Sequence, residues 1–317
     1  MTRCLYCYDK ISKEEQIKQE FHQRCSIKFF GSKIPPKIEY SQGDMLELAT
    51  KVVKGQRTVT GVQPKLSLAR KKMTDDSSIE RFTIVGLWGQ YILKPQTELY
   101  KELPEIEDLT MQLADSVKII TVPHSLIRLK SGELAYITKR VDRSNKRKFH
   151  LEDMCQLTER QTEHKYKGSH EQIAKAINLY ASNPGLDKVN YFELVLQSYL
   201  TGNNDMHLKN FSLLKGENKE YSLCPAYDLV ASELLVDGDD EELALNLNGK
   251  KKKLKKKDFE NAMKTGNINS KAAQNIFDKF KGIKTTWFKI IDKSFLSEEM
   301  KKNYKEMLDL KFQILKE

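Results

Sequence analysis

Apolar positions along this chain fall into two regimes. Between residues 66 and 141 they come in short β-like runs: 66–68, Tyr91-Ile92-Leu93 ahead of Lys94-Pro95, 122–129 and 134–141. The last two are joined by the turn Lys130-Ser131-Gly132. One helix interrupts them over 103–117, with Pro104 in its first turn and Ile106, Leu109, Leu113 and Val117 at core spacing. A shorter helical pattern precedes them, with Met45, Leu48, Val52 and Val53 on one side. Beyond residue 144 the spacing is almost wholly helical. Short helices are expected over 151–157 and 169–180, and Asn183-Pro184-Gly185 reads as a break. Asp187 then caps a helix running to Leu200 with Val189, Phe192, Leu196 and Tyr199 inward. Phe277, Phe280 and Ile283, then Phe295, Met300, Tyr304 and Leu308, continue the pattern to the end of the chain. The pattern predicts an α+β protein of two lobes, with a strand-rich lobe over 33–143 and a helical lobe over 144–317. The basic segment 144–148 marks the boundary.

The helix ending at Leu200 delivers a polar loop, Asn203-Asn204-Asp205-Met206-His207-Leu208-Lys209-Asn210. Residues 211–214 and 221–223 follow as a hairpin around Lys215-Gly216-Glu217-Asn218-Lys219, and Asp228 lies beyond it. A hairpin brings its two ends together, so Asn210 and Asp228 are placed to share one ion. Phosphoryl transfer needs a carboxylate to orient an attacking hydroxyl and oxygen ligands to hold Mg²⁺ against phosphates. Asp205 fits the first role, Asn210 and Asp228 the second. The competing reading is a solvated turn, which Asn and Asp favour anyway.

Lys94 ends a strand and is followed by a helix bearing Glu107, the arrangement in which an ion pair fixes a lysine on ATP phosphates. Glu105 and Glu102 are alternative partners. Ahead of the strand at 66–68, residues 56–65 (Gln-Arg-Thr-Val-Thr-Gly-Val-Gln-Pro-Lys) combine small hydroxyl residues, a glycine and a lysine, and their backbone N–H groups suit phosphate. The segment matches neither common glycine-rich phosphate loop and reads equally as a hairpin entry. At the start of the chain Cys4, Cys7, His22 and Cys25 form a C-x2-C-x14-H-x2-C spacing that suits one structural Zn²⁺ over residues 1–32. Reduced cysteines beside a surface histidine on a helix at 13–24 are the alternative.

The 317 residues, 31% charged and 39% hydrophobic, provide ample core. No apolar run is long enough for a membrane helix, and the N-terminus lacks the apolar core of a secretory signal, so the cytoplasm is the expected location and no membrane partner is expected. The net charge of +10 favours acidic partners in general. Seven lysines between 250 and 257 contribute to it, and without interleaved aromatics they read as a solvated loop rather than a nucleic-acid patch. An acidic stretch at 237–242 is expected to be exposed.

Six stretches in this order, 61–65 (Gly-Val-Gln-Pro-Lys), 91–95, 139–143 (Lys-Arg-Val-Asp-Arg), 151–157, 204–212 and 225–229 (Pro-Ala-Tyr-Asp-Leu), resemble the HipA family of bacterial serine/threonine kinases, toxins of HipA/HipB-type systems. The resemblance spans roughly residues 55–310. It implies a two-lobed, protein-kinase-like fold related to phosphoinositide kinases. It also implies ATP held by Thr60, Gly61, Val62, Gln63, Lys65, Lys94, Glu107, Lys139, Val141, His207, Lys209, Asn210, Tyr227 and Asp228. Asp205 would be the base and Mg²⁺ would sit on Asn210 and Asp228. Such a kinase phosphorylates an aminoacyl-tRNA synthetase and modifies its own phosphate loop, where Thr58 and Thr60 are the matching positions here. The partners implied are a HipB-like DNA-binding antitoxin, with DNA reached only through it, and a small HipS-like protein, since the chain resembles the short HipT-like branch. A catalytically silent partner of a DNA-binding antitoxin and a small-molecule kinase are the alternatives. The cysteine-rich start is not part of the family pattern.

Overall fold

The β-like runs pair into one antiparallel sheet. The structure, a computed structural model, describes residues 2–53, 63–73, 80–85, 88–144, 147–236 and 238–316. After two short helices, α1 (Glu14–Gln19) and α2 (Gln23–Phe30), and α3 (Gln42–Val53), come strands β1 (Leu66–Lys72), β2 (Glu80–Ile84) and β3 (Tyr91–Pro95). Helix α4 (Leu103–Ser116) and strands β4 (His124–Arg128) and β5 (Leu134–Lys139) follow. The sheet order is β2-β1-β3-β5-β4. In β1, buried Leu66 and Leu68 alternate with partly exposed Ser67 and Ala69, as in a strand wetted on one face. β5, paired on both sides by β3 and β4, instead buries Ala135, Tyr136, Ile137 and Thr138 in succession. The helix expected over 13–24 is two helices, each closed by a left-handed residue, Glu20 and Gly31.

Two compact units emerge: residues 1–108, 122–140 and 293–296, and residues 109–121, 141–292 and 297–317. The second contains a two-strand ribbon, β6 (Arg143–Ser144) with β7 (Arg147–Lys148), and a three-stranded sheet of β8 (Leu151–Asp153), β9 (Ser212–Lys215) and β10 (Tyr221–Leu223) in the order β10-β9-β8. Residues 151–157, expected as a helix, are thus a strand that turns into the single-turn helix α5 (Met154–Leu157). Asp153 accounts for the switch. Its carboxylate accepts from Gln156 N–H at 3.0 Å while the Gln156 side chain accepts from Asp153 N–H at 2.9 Å, a reciprocal cap that starts a helix after a strand.

Ser169 caps α6 (His170–Tyr180) in the same way. Pro184, read from sequence as a breaker, is the first turn of α7 (Pro184–Leu200), where its missing N–H costs nothing. Asp187 therefore lies inside the helix. The four last helices, α8 (Lys256–Thr265), α9 (Ser270–Phe280), α10 (Lys284–Lys293) and α11 (Glu298–Lys311), carry the apolar spacing of the tail. Phe259, Phe277, Phe280, Trp287 and Tyr304 are all essentially inaccessible. The lysine run and the acidic stretch meet: Lys251 pairs with Glu241 at 3.0 Å, Lys252 with Asp240 at 2.7 Å, and Lys250 with the helix-capping Asp258 at 2.9 Å. Asp239 and Asp240 are exposed, whereas Glu241 and Glu242 are half-buried.

Candidate active site

Helix α7 ends in a way that fixes the start of the 203–210 loop. Gly202, at φ +64°, takes the left-handed position after the C-cap Thr201. Its N–H donates to Tyr199 O at 3.3 Å, and Asn203 N–H donates to Ser198 O at 2.8 Å. These two bonds are the pair that closes a helix when a glycine reverses the chain. A Cβ at Gly202 would collide with Met307, and at 3.1 Å with Glu233, so the turn requires glycine. Asn204 is then pinned by donating from its N–H to Ser232 Oγ at 3.0 Å and from its amide nitrogen to Asp239 Oδ2 at 3.1 Å.

Asp205 is exposed in a loop whose other members, apart from half-buried Lys209, are buried. Its backbone oxygen accepts from His207 N–H at 2.8 Å and from the Asn210 amide nitrogen at 3.2 Å. The second bond spends the NH2 of Asn210 and leaves the amide oxygen as that side chain's acceptor. Tyr166, a residue that sequence reasoning missed, donates its hydroxyl to Asp205 Oδ1 at 2.6 Å. Burial and the neighbouring carboxylate push the Tyr166 phenol well above its usual range, so it remains a donor. No spacing signal marks Tyr166, which reaches Asp205 from 39 residues away.

His207 stands with its ring edge-on to Tyr166, centroids 5.1 Å apart. Burial lowers its pKa, against the opposing pull of the Asp205 and Asp228 carboxylates, and it is therefore neutral near pH 7. Its Nδ1 is buried without a hydrogen-bond partner.

The hairpin expected between Asn210 and Asp228 is β9 and β10, paired antiparallel with Leu213 opposite Leu223. The Tyr227 hydroxyl reaches back across its base, donating to Lys209 O at 3.0 Å and sharing a hydrogen bond with Ser212 Oγ. This bond ties the residue before Asp228 to the residue before Asn210. Lys209 extends its ammonium to Asp153 Oδ2 at 2.6 Å, so the carboxylate that caps α5 also anchors the loop. Asp228 sits at φ +60°, a left-handed conformation that Asp tolerates better than most residues and that is over-represented where function fixes a side chain. Hard carboxylate and amide oxygens of this kind suit Mg²⁺.

In the other unit, Lys94 Nζ donates to Glu107 Oε1 at 2.5 Å, with Lys94 5% and Glu107 0% exposed. The ammonium also lies 5.4 Å from the centroid of the Tyr136 ring. Of the three glutamates considered from sequence, Glu107 is the one that faces Lys94, because it alone points from α4 into the sheet. Glu105 is half-buried elsewhere, and burial pushes its carboxyl up to about 7. Gln63 donates its amide to Pro95 O at 3.1 Å. Lys139 directs its ammonium over the Phe29 and Tyr91 rings, at 5.6 and 5.9 Å, and burial depresses its pKa. Val141 is half-buried. Thr58, Thr60, Gly61 and Val62 lie outside the described residues.

Residues 57–287 match the HipA-like C-terminal domain family. The chain belongs to this family. A protein named "Putative kinase" from Haemophilus influenzae is 30% identical over 208 residues, covering 62% of this chain and 58% of the relative. "Putative kinase Y4dM" from Sinorhizobium fredii is 32% identical over 179 residues, covering 53% and 43%. The chain thus spans about half the length of these curated relatives. Among solved structures, HipA of Shewanella oneidensis MR-1, determined with HipB and operator DNA, superposes with a TM-score of 0.68 at 20% identity, covering 84% of this chain and 71% of that one. The Helicobacter pylori proinflammatory kinase CtkA gives 0.51 at 18% identity, covering 71% and 88%. The fold is that of the protein-kinase-like HipA proteins. No helix among the described residues is long and apolar enough to cross a membrane.

Proposed function

We propose that this chain is an ATP- and Mg²⁺-dependent serine/threonine protein kinase acting as the toxin of a HipA/HipB-type system. The observation that carries the reading is the 203–210 loop: a solvent-facing Asp205 held by Tyr166 and by its own backbone, with Asn210 beside it. Asp205 accepts the proton of an acceptor hydroxyl as that oxygen bonds to the γ-phosphorus and the bond to the β-phosphate oxygen breaks. Tyr166 occupies one carboxylate oxygen of Asp205 and so presents the other to the acceptor. Asn210 and Asp228 would hold Mg²⁺, which supplies charge neutralisation on the phosphate oxygens. Lys94, kept in one rotamer by Glu107, serves the α- and β-phosphates. His207, neutral and with a free ring nitrogen, adds no charge that would compete with the metal.

The resemblance to HipA proteins supports an aminoacyl-tRNA synthetase as substrate, a HipB-like antitoxin and a small HipS-like protein as partners, and self-phosphorylation at Thr58 or Thr60. A phosphate on either threonine adds nearly two negative charges where ATP phosphates dock, which silences the enzyme. The test is intact mass after incubation with Mg-ATP, wild type beside Asp205→Asn. Wild type alone gains phosphate, mapping to Thr58 or Thr60, and labels a synthetase in a lysate. Equal gain by both proteins, or no gain with no ATP binding by either, overturns the assignment.

A further inference from the structure

Four soft ligands converge in the first unit, outside the residues used above. Cys4 and Cys7 stand on a turn closed by Tyr8 N–H donating to Cys4 O at 2.9 Å. His22 is the N-cap of α2, and Cys25 lies in its first turn. The three Sγ atoms and one ring nitrogen of His22 all lie within 4.8 Å of one another. Nδ1 of His22 is 3.4 Å from Cys7 Sγ and 3.9 Å from Cys25 Sγ. A tetrahedral Zn²⁺ with Zn–S of about 2.3 Å and Zn–N of about 2.0 Å requires S···N edges of roughly 3.6 Å, which these two separations bracket.

The surrounding bonds suit a metal as well. The other ring nitrogen, Nε2, lies 3.0 Å from Lys10 O; donating there, it leaves the Nδ1 lone pair aimed at the thiols, the arrangement that commonly orients a metal-bound imidazole. His22 N–H donates to Cys4 Sγ at 3.4 Å, which favours a thiolate. Cys4 is 0% and Cys25 5% exposed, so the site is closed to solvent on that side, as structural zinc sites are.

We propose that Cys4, Cys7, His22 and Cys25 bind one structural Zn²⁺, and that the metal braces the helix carrying Glu107. The turn it fixes places Tyr8 at φ +64°, with its hydroxyl donating to Asp108 Oδ2 at 2.6 Å. The other Asp108 oxygen accepts from His124 Nδ1 at 2.7 Å, and Leu5 O on the same turn accepts from Leu126 N–H and Ser125 Oγ, both at 3.2 Å. The turn is thereby tied both to β4 and to the α4 residue next to Glu107. The value of the brace to catalysis rests on the role proposed for Lys94 and Glu107; the metal site itself does not.

The test is metal content of the purified full-length chain after dialysis, by elemental mass spectrometry. About one zinc per chain is expected, lost in Cys7→Ser and His22→Gln and kept in Cys155→Ser and Cys224→Ser, whose thiols lie elsewhere. The Co²⁺-loaded chain shows tetrahedral d–d absorption and thiolate-to-cobalt charge transfer, both lost in Cys25→Ser. A wild-type chain that takes up neither metal, or that loses it equally in Cys155→Ser, overturns the site. The brace is read by hydrogen exchange of residues 103–108 in zinc-loaded Tyr8→Phe. Exchange at least several-fold faster than in wild type is expected, and unchanged exchange overturns the brace. Neither readout requires ATP turnover.

Discussion

The Lys94–Glu107 pair separates stability from function in a measurable way. Both side chains are inside the first unit, 6% and 0% exposed, and meet at 2.5 Å. Removing one partner leaves the other charge buried without its counter-ion at Lys94–Glu107, a loss of about 3–5 kcal/mol for buried pairs. Glu107→Leu and Lys94→Met are therefore each expected to lower stability by about 3–5 kcal/mol, or a melting temperature by roughly 10 °C. The double variant places a thioether against Tyr136 and a leucine where the carboxylate stood, and replacing a whole buried pair with apolar groups is close to neutral. Its stability should return to within about 1 kcal/mol of wild type, whereas phosphate transfer should stay abolished in all three. Urea unfolding by circular dichroism, beside intact-mass phosphorylation, reads both. A double variant no more stable than the worse single one would refute the buried-pair argument. One that regained phosphate transfer would refute the role given to Lys94.

Two further predictions concern pH. Glu105 keeps its proton up to about pH 7 in the folded chain and loses it near 4.5 when unfolded, because burial disfavours the carboxylate. The unfolded state thus binds fewer protons in that window, and stability falls as pH rises from 4.5 to 7. Glu105→Gln should raise stability at pH 8 by up to about 3 kcal/mol, and a variant no more stable than wild type there would show that the carboxyl is solvated. His170 behaves oppositely: fully buried, with Nδ1 2.6 Å from the Tyr191 hydroxyl, it is pushed down to about 3 from an ordinary 6.5. Its contribution is complete above pH 6.5 and is lost as pH falls, by about 2 kcal/mol at pH 5. His170→Asn, which can keep the bond to Tyr191, should be less stable at pH 7 yet flatter between pH 7 and 5 in urea titrations; an unchanged slope would refute this.

Local pattern reached as far as local forces do. Strand and helix positions in the first unit, the hairpin after Asn210 and the apolar faces of the last helices follow from period and turn residues, which act within a few positions of themselves. The errors sit where a reciprocal side-chain bond or a cap decides the matter. Asp153 and Gln156 turn a strand into a helix, and Pro184 starts a helix that its neighbours suggested it would break. The chemistry divides along the same line. Asp205, Asn210, Asp228, Lys94 and the Cys4–Cys25 set are proposed from sequence, on spacing along one element or on an ordered series of short motifs. Which glutamate meets Lys94, that Tyr166 holds Asp205, that Asp153 anchors Lys209, and that Tyr8, Asp108 and His124 join the N-terminal turn to α4 were decided by tertiary structure alone. Each depends on contacts between residues from 13 to 100 positions apart, and only the packed sheet and helices set those distances.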